Sequence, residues 1–136
     1  MTAMHLICSI VYESKSDQLL EVCLKNGANP NIQDIYGRAP IHMVAASGNI
    51  QAIQSLVLKA GDKLQLDLQT IGGETAAHKC VMFCKPECLQ ILLNAGANPL
   101  LLTAEGESVI TMAEKCQNAQ IIEVLKRWIE KQQQLK

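Results

Sequence analysis

Charge is scarce in this chain. Of its 136 residues 18% are charged, against roughly a quarter in ordinary domains, and the formal net charge is −1. That balance supplies no electrostatic footprint for nucleic acid or an anionic membrane surface. Histidine is scarcer still: His5, His42 and His78 are the only three. Long apolar runs are also missing. Nothing approaches the ~18 apolar residues a bilayer crossing demands, so no membrane insertion is expected. The opening MTAMHLICSIVYESKSD has an apolar patch but no basic lead-in and no cleavage site, so it does not read as a signal peptide. GxGxxG, GxxxxGK[ST] and GxSxG are all absent, which removes the usual phosphate-cradling and nucleophile-elbow signatures.

What remains is apolar. At 49% apolar residues the chain favours an ordered, packed state, and its length is that of one domain with a real core. Six cysteines at positions 8, 23, 80, 84, 88 and 116, without a secretion signal, read as reduced thiols in cytoplasm or nucleus. Free cysteine behaves there as a small buriable apolar residue.

The chain repeats itself. TAMH (2–5), APIH (39–42), TAAH (75–78) and a worn SVIT (108–111) start 37, 36 and 33 residues apart. A second register agrees: KNGANPN (25–31) and NAGANPL (94–100) are near copies, with KAGDKLQ (59–65) between them in the same phase. Gly37, Gly73 and Gly106 each stand two residues before a four-residue motif. After each motif comes a short apolar stretch, then a break, then a second run with helical spacing, such as Ile50, Ile53, Leu56 and Val57. The second runs stop at Gly27, Gly61 and Gly96, where glycine tolerates the left-handed backbone that ends a helix. Helices of two or three turns are marginal alone in water. A stack of similar units buries their stripes.

GRAPIHMVAASGN and GETAAHKCV, followed by LLNAGANP, resemble ankyrin repeats, whose motif is Thr-Pro-Leu-His with a closing Gly-Ala-Asp/Asn. The resemblance covers roughly residues 2–128 and implies one all-α solenoid domain over 1–136. Its units are approximately 1–33, 34–69, 70–102 and 103–136, each a helix–turn–helix with a β-turn finger. In that register Thr2 and Thr75 are capping residues, and His5, His42 and His78 fill the family's structural histidine slot, where the ring braces the helix start. Ala39 replaces the capping threonine at a cost of about 1 kcal/mol. The first unit has four extra residues between its helices, within YESKSDQ (12–18). The second unit's finger is longer, and Leu64, Leu66 and Leu68 alternate with polar residues, which predicts a short β-hairpin.

The segment TAAHKCVMFCKPEC (75–88) packs a histidine and three cysteines into fourteen positions. A zinc site needs donors converging at about 2.3 Å. The register instead gives Thr75 to a cap, Cys80 and Cys88 to packed faces, and Cys84 to an inter-helix turn where the family has glycine. Lys85-Pro86-Glu87 opens the second helix. Metal ligation and cofactor binding are therefore not expected. Asp34, Glu74, Glu105 and Glu107 map to fingers about one unit apart with no base or nucleophile beside them, and no catalysis is expected.

The family's variable surface is its concave side. Here that implies a protein-binding band of Ile35, Tyr36, Arg38, Ile71 and Glu74 on fingers. Met43, Ser47, Lys79, Met82, Phe83 and Met112 continue it on first helices, with Tyr36 and Phe83 as anchors. The last outer helix keeps an inward stripe of Ile121, Ile122, Leu125 and Trp128 and a polar outer face, as a terminal cap requires. The first helix, MHLICSIV, has no such face, so self-association through the N-terminal end is one expectation. Two rivals stand beside the non-catalytic protein-binding reading. One is a regulatory module excised from a larger enzyme, channel or ubiquitin-ligase adaptor, which the mid-repeat start favours. The other is a thiol- or metal-dependent sensor using Cys80, Cys84 and Cys88.

Overall fold

The computed structural model describes residues 30–61 and 64–134. Six helices lie among them: α1 (Pro40–Ser47), α2 (Ile50–Ala60), α3 (Ala76–Met82), α4 (Pro86–Asn94), α5 (Val109–Cys116) and α6 (Ala119–Gln134). They form three hairpins in two rows. α1, α3 and α5 pack in sequence as one row, and α2, α4 and α6 as the other. The sequence expectations for the first unit lie outside the described residues: Thr2, His5, the YESKSDQ insertion and the N-terminal face.

Local chemistry sets each helix boundary. Thr75 Oγ1 accepts from the His78 backbone N–H at 3.3 Å, Asn49 Oδ1 from Ala52 N at 3.0 Å, and Ser108 Oγ from Thr111 N at 3.1 Å. Asn118 starts α6 by accepting from the N–H groups of Gln120 and Ile121. Each bond satisfies an otherwise orphaned first-turn donor. Ala39 makes no such bond, so α1 starts instead on Pro40, whose missing N–H is no loss in a first turn. α4 likewise starts on Pro86, with Glu87 in the first turn, where the helix dipole favours a carboxylate.

Between the two helices of each unit the chain turns through a left-handed residue. Gly48 does so at φ 73°, and Cys84 and Gln117 both at φ 55°. The expectation that Cys84 takes a glycine's place is met, and Gln117 repeats the substitution one unit later.

The core is the seam between the rows. Ile41, Ile53, Leu56, Leu89, Leu92 and Ile121 are fully buried, each contributing about 1.5–3 kcal/mol relative to exposure. Cys80 and Cys88 lie in the same cluster. On α6, Ile121, Val124 and Leu125 are buried and Trp128 is half-buried, while Glu123, Lys126, Arg127, Glu130 and Lys131 face solvent.

The hairpin expected around Leu64, Leu66 and Leu68 requires correction. No strand occurs among the described residues, and Leu66–Asp67 form a turn. The alternation was real as a burial pattern: Leu64 is buried and Leu66 and Leu68 are half-buried, while Gln65 and Asp67 are exposed. An apolar/polar alternation reports which side of a segment faces the core. It does not supply a second strand to pair with.

Candidate functional site

Beside the helical rows stand three fingers of one design. In the first, Asp34 N–H donates to Arg38 O and Gly37 N–H to Asp34 O, both at 2.9 Å. Thr70–Glu74 and Thr103–Glu107 repeat both bonds. The side chain of Asp34 accepts from Tyr36 N, Arg38 N and Arg38 Nε at 3.0, 2.9 and 2.8 Å. Burial alone would raise this carboxyl; the Arg38 N–H groups and the Tyr36 N–H outweigh it and hold it below the usual aspartate range.

The fingers are tied to one another. Ile71 N–H donates to Tyr36 O at 3.0 Å and Ala104 N–H to Gly72 O at 2.8 Å. Gly37 and Gly73 let the fingers come this close, since a Cβ on Gly73 would stand 2.7 Å from Ala104 N and one on Gly37 2.9 Å from Ile71 N. Gln33 Nε2 donates to Gly37 O and to Gln69 O of the next finger at 2.8 and 3.1 Å. Gln69 does the same to Gly73 O and Leu102 O at 2.9 and 3.0 Å.

The histidines do more than brace their own helix. In each, Nδ1 accepts from the backbone N–H three residues earlier, Ala39 for His42 and Thr75 for His78. With Nδ1 accepting, the proton is on Nε2, and this donates to backbone carbonyls in and beside the following finger. His42 reaches Leu68 O at 2.9 Å and Glu74 O at 3.0 Å, and His78 reaches Glu107 O at 3.0 Å. Burial pushes both rings below the ordinary histidine value, and the carbonyl bonds only partly oppose that. Both rings are therefore neutral inter-unit connectors. The sequence pointed to the slot but not to its long-range bond, because the accepting carbonyls lie 26 to 32 residues away.

The thiols of the rival sensor reading divide between core and surface, with Cys80 and Cys88 in one buried cluster and Cys84 outside it. Cys80 and Cys88 are buried, and burial pushes both thiols up, opposite to the shift a reactive thiolate needs. Cys84 is exposed on the turn, and His78 is spent on backbone groups. No group of three or more His, Cys, Asp or Glu among the described residues is arranged to hold a metal ion.

The expected binding residues fall into two classes. Ile35 is 82% exposed, Ile71 73% and Tyr36 58%, on two fingers joined by backbone. Met82 and Phe83 are exposed at the end of α3, about 10 Å of helix from the finger base. Arg38 lies over the Tyr36 ring at 5.1 Å from its centroid and pairs with Asp34 at 2.7 Å. Glu74 and Lys79 pair at 3.3 Å, and Glu107 and Lys115 at 2.8 Å. Met43 and Met112 are half-buried against the core, and the Ser47 hydroxyl donates to Val44 O. Leu58, Leu100 and Leu102 are exposed too. None of these three was singled out from the sequence, which has no signal separating Leu100 and Leu102 from a packed run.

The family model described as Ankyrin repeats (3 copies) matches residues 4–102. Among curated relatives, E3 ubiquitin-protein ligase KEG of Arabidopsis thaliana is 34% identical over 113 residues, covering 82% of this chain and 7% of that protein. The nuclear factor NF-kappa-B p105 subunit of Gallus gallus is 31% identical over 85 residues, 62% of this chain and 9% of that protein. Inhibitor of Bruton tyrosine kinase from Homo sapiens is 26% identical over 110 residues, 80% of this chain and 8% of that protein. The chain thus spans less than a tenth of the length of each of these relatives.

Proposed function

The chain belongs to the ankyrin-repeat family, and from that premise we propose that it binds another protein through its finger row and the adjoining flank of its first helices. Ankyrin repeats are non-catalytic protein-interaction modules. The observation that carries the surface assignment is the pair Ile35 and Ile71, side by side on fingers locked by the Ile71–Tyr36 backbone bond. Two large apolar side chains held in solvent on a rigid edge, with Tyr36 next to Ile35, form the apolar centre of a patch that Met82 and Phe83 extend at the far end of α3. The ion pairs of Arg38, Glu74–Lys79 and Glu107–Lys115 form its rim. A groove across three fingers supplies roughly 800 Å² per partner, the standard interface size. The reduced thiols fit a cytoplasmic or nuclear setting.

A second reading rests on the small share of each relative that the chain spans. In it the same surface serves as the docking module of a longer regulatory protein, a ubiquitin-ligase adaptor among the candidates. Both readings use one patch, so one experiment addresses it. Pull-downs with wild type and with Tyr36→Ala/Phe83→Ala are compared, using Lys126→Ala/Glu130→Ala on α6 as control. Loss of two anchors, at about 2 kcal/mol each, predicts a roughly 1,000-fold weaker complex if the two add. Partners retained by the double variant but lost by the control place the interface on the outer row instead.

A further inference from the structure

The fourth unit carries a stop signal written in side chains. Counted here from one helix-ending glycine to the next, as 30–61, 64–96 and 97–134 among the described residues, with 97–134 the fourth unit, each unit holds the next through three connector positions. Asn31 Oδ1 accepts from Gln65 N at 2.7 Å, and Asp67 Oδ1 from Asn98 N at 2.9 Å. Gln33 and Gln69 donate to the following finger at 3.1 and 3.0 Å. His42 and His78 donate to the following unit's carbonyls. One unit further along the chain, in the same register, these three positions are Leu100, Leu102 and Thr111. Leucine has no group to donate or accept with. The Thr111 hydroxyl is engaged locally with Ser108 Oγ at 3.1 Å and is too short to cross to a neighbouring unit.

Two packing positions change in the same place. Ala45 and Val81, both fully buried, are followed in register by Glu114, and Val57 and Leu93 by Lys126. Glu114 and Lys126 are exposed. A fifth unit stacked in register would bury a carboxylate where Val81 is 0% exposed, and that penalty of several kcal/mol opposes docking at an edge that has also lost its connector bonds. The exposure of Leu100 and Leu102 does not argue for a missing unit. Asp67 and Gln69, at the same two positions of the preceding unit, remain exposed although a unit follows them.

We infer that the trailing face of the fourth unit is closed to further ankyrin repeats, and that five residues close it: Leu100, Leu102, Thr111, Glu114 and Lys126. The inference concerns in-register stacking alone. A helix continuing from α6, or a domain of another fold, is compatible with it.

The test inserts a second copy of residues 95–127 after Arg127 in the full chain, so that the fourth unit is offered its own edge in register. A matched chain carries Leu100→Asp, Leu102→Gln, Thr111→His, Glu114→Val and Lys126→Leu in the first copy, restoring the third unit's residues. Urea unfolding and amide hydrogen exchange read the result. With the native edge, one copy's worth of amides stays unprotected and the urea m-value matches the parent. With the restored edge, that copy gains protection and the m-value rises by about a quarter, because it scales with the surface exposed on unfolding. Protection of both copies on the native edge overturns the inference. Failure of the restored edge to protect the second copy also overturns it, since the five positions would then not be the determinants.

Discussion

Replacing Cys84 with glycine should stabilise the protein. Cys84 N–H donates to Val81 O at 3.2 Å and Lys85 N–H to Cys80 O at 2.7 Å, the pair of bonds that closes a helix through a left-handed residue. The backbone there sits at φ 55°, and a residue with a Cβ loses about 1–2 kcal/mol in that region. Glycine removes that strain but gives back about 0.5–1 kcal/mol in unfolded-chain entropy. The thiol is exposed, so its removal forfeits little packing. The net gain is about 0.5–1 kcal/mol, or roughly 2–5 °C in melting temperature for a domain of this size. Cys84→Ala separates strain from sulfur chemistry, because it deletes the thiol and keeps the Cβ. Melting followed by circular dichroism under reducing conditions should rank glycine above both cysteine and alanine. A Cys84→Gly protein that melts at or below Cys84→Ala would refute the reasoning and the register of the third unit with it.

His78→Ala should cost about 3 kcal/mol, seen as a lower urea midpoint. It strands the buried Thr75 N–H and Glu107 carbonyl and leaves a ring-sized void. Stability should also fall with acidity. The fold holds His42 and His78 below the ordinary value of about 6.5, so the unfolded chain binds more protons in the window beneath it. Their neutral form therefore contributes fully above about pH 6.5, and the contribution is lost as pH falls toward the folded-state values, at up to about 1.4 kcal/mol per pH unit for each ring. Melting temperatures from pH 7.5 to 5.5, above the carboxylate range, check this in a His5→Gln background. A flat profile there would contradict the neutral-connector assignment.

Much of this architecture was legible because it is repeated. A histidine at 42 and again at 78, a glycine at 37, 73 and 106, and one closing motif in phase with both establish the unit and its length. Cys84 announced a left-handed turn through the family resemblance, which puts glycine at that place, and Gly48 occupies the same place one unit earlier. Gln117, in that position one unit later, escaped notice because SVIT is too worn to fix the register unaided. The hairpin at Leu64 to Leu68 was misread because period-2 burial and strand pairing look alike in one dimension. Met43 and Met112 fall at exposed first-helix positions in the sequence register, yet they lean on the core, which a helical wheel cannot resolve for a flexible side chain near the edge of the buried stripe. The connectors were least legible of all. Asn31, Gln33, Asp67 and Gln69 look like ordinary polar loop residues until their partners, more than thirty positions away, are in place.

Those connectors also bear on binding. Ordering a loop when a partner arrives costs affinity, and a surface already ordered avoids that cost. Each finger here is tied to the next by a backbone bond and a glutamine amide, so the spacing of Ile35 and Ile71 is set before any partner meets them. Gly73 is where this can be probed one joint away from the patch. Its φ of 78° and the 2.7 Å approach of Ala104 N leave no room for a Cβ, and the three atoms it would meet, Ala104 N with Thr103 Cα and C, are all backbone. Gly73→Ala should therefore break the Ala104–Gly72 bond, costing about 2 kcal/mol from left-handed strain and the lost contact together. The Ala104 amide should then exchange faster by at least tenfold, while the Ile71–Tyr36 bond between the first two fingers stays protected. If Ala104 keeps its protection, the fingers are held by the helices beneath them rather than by one another, and the row is not the preorganised edge that the apolar patch requires.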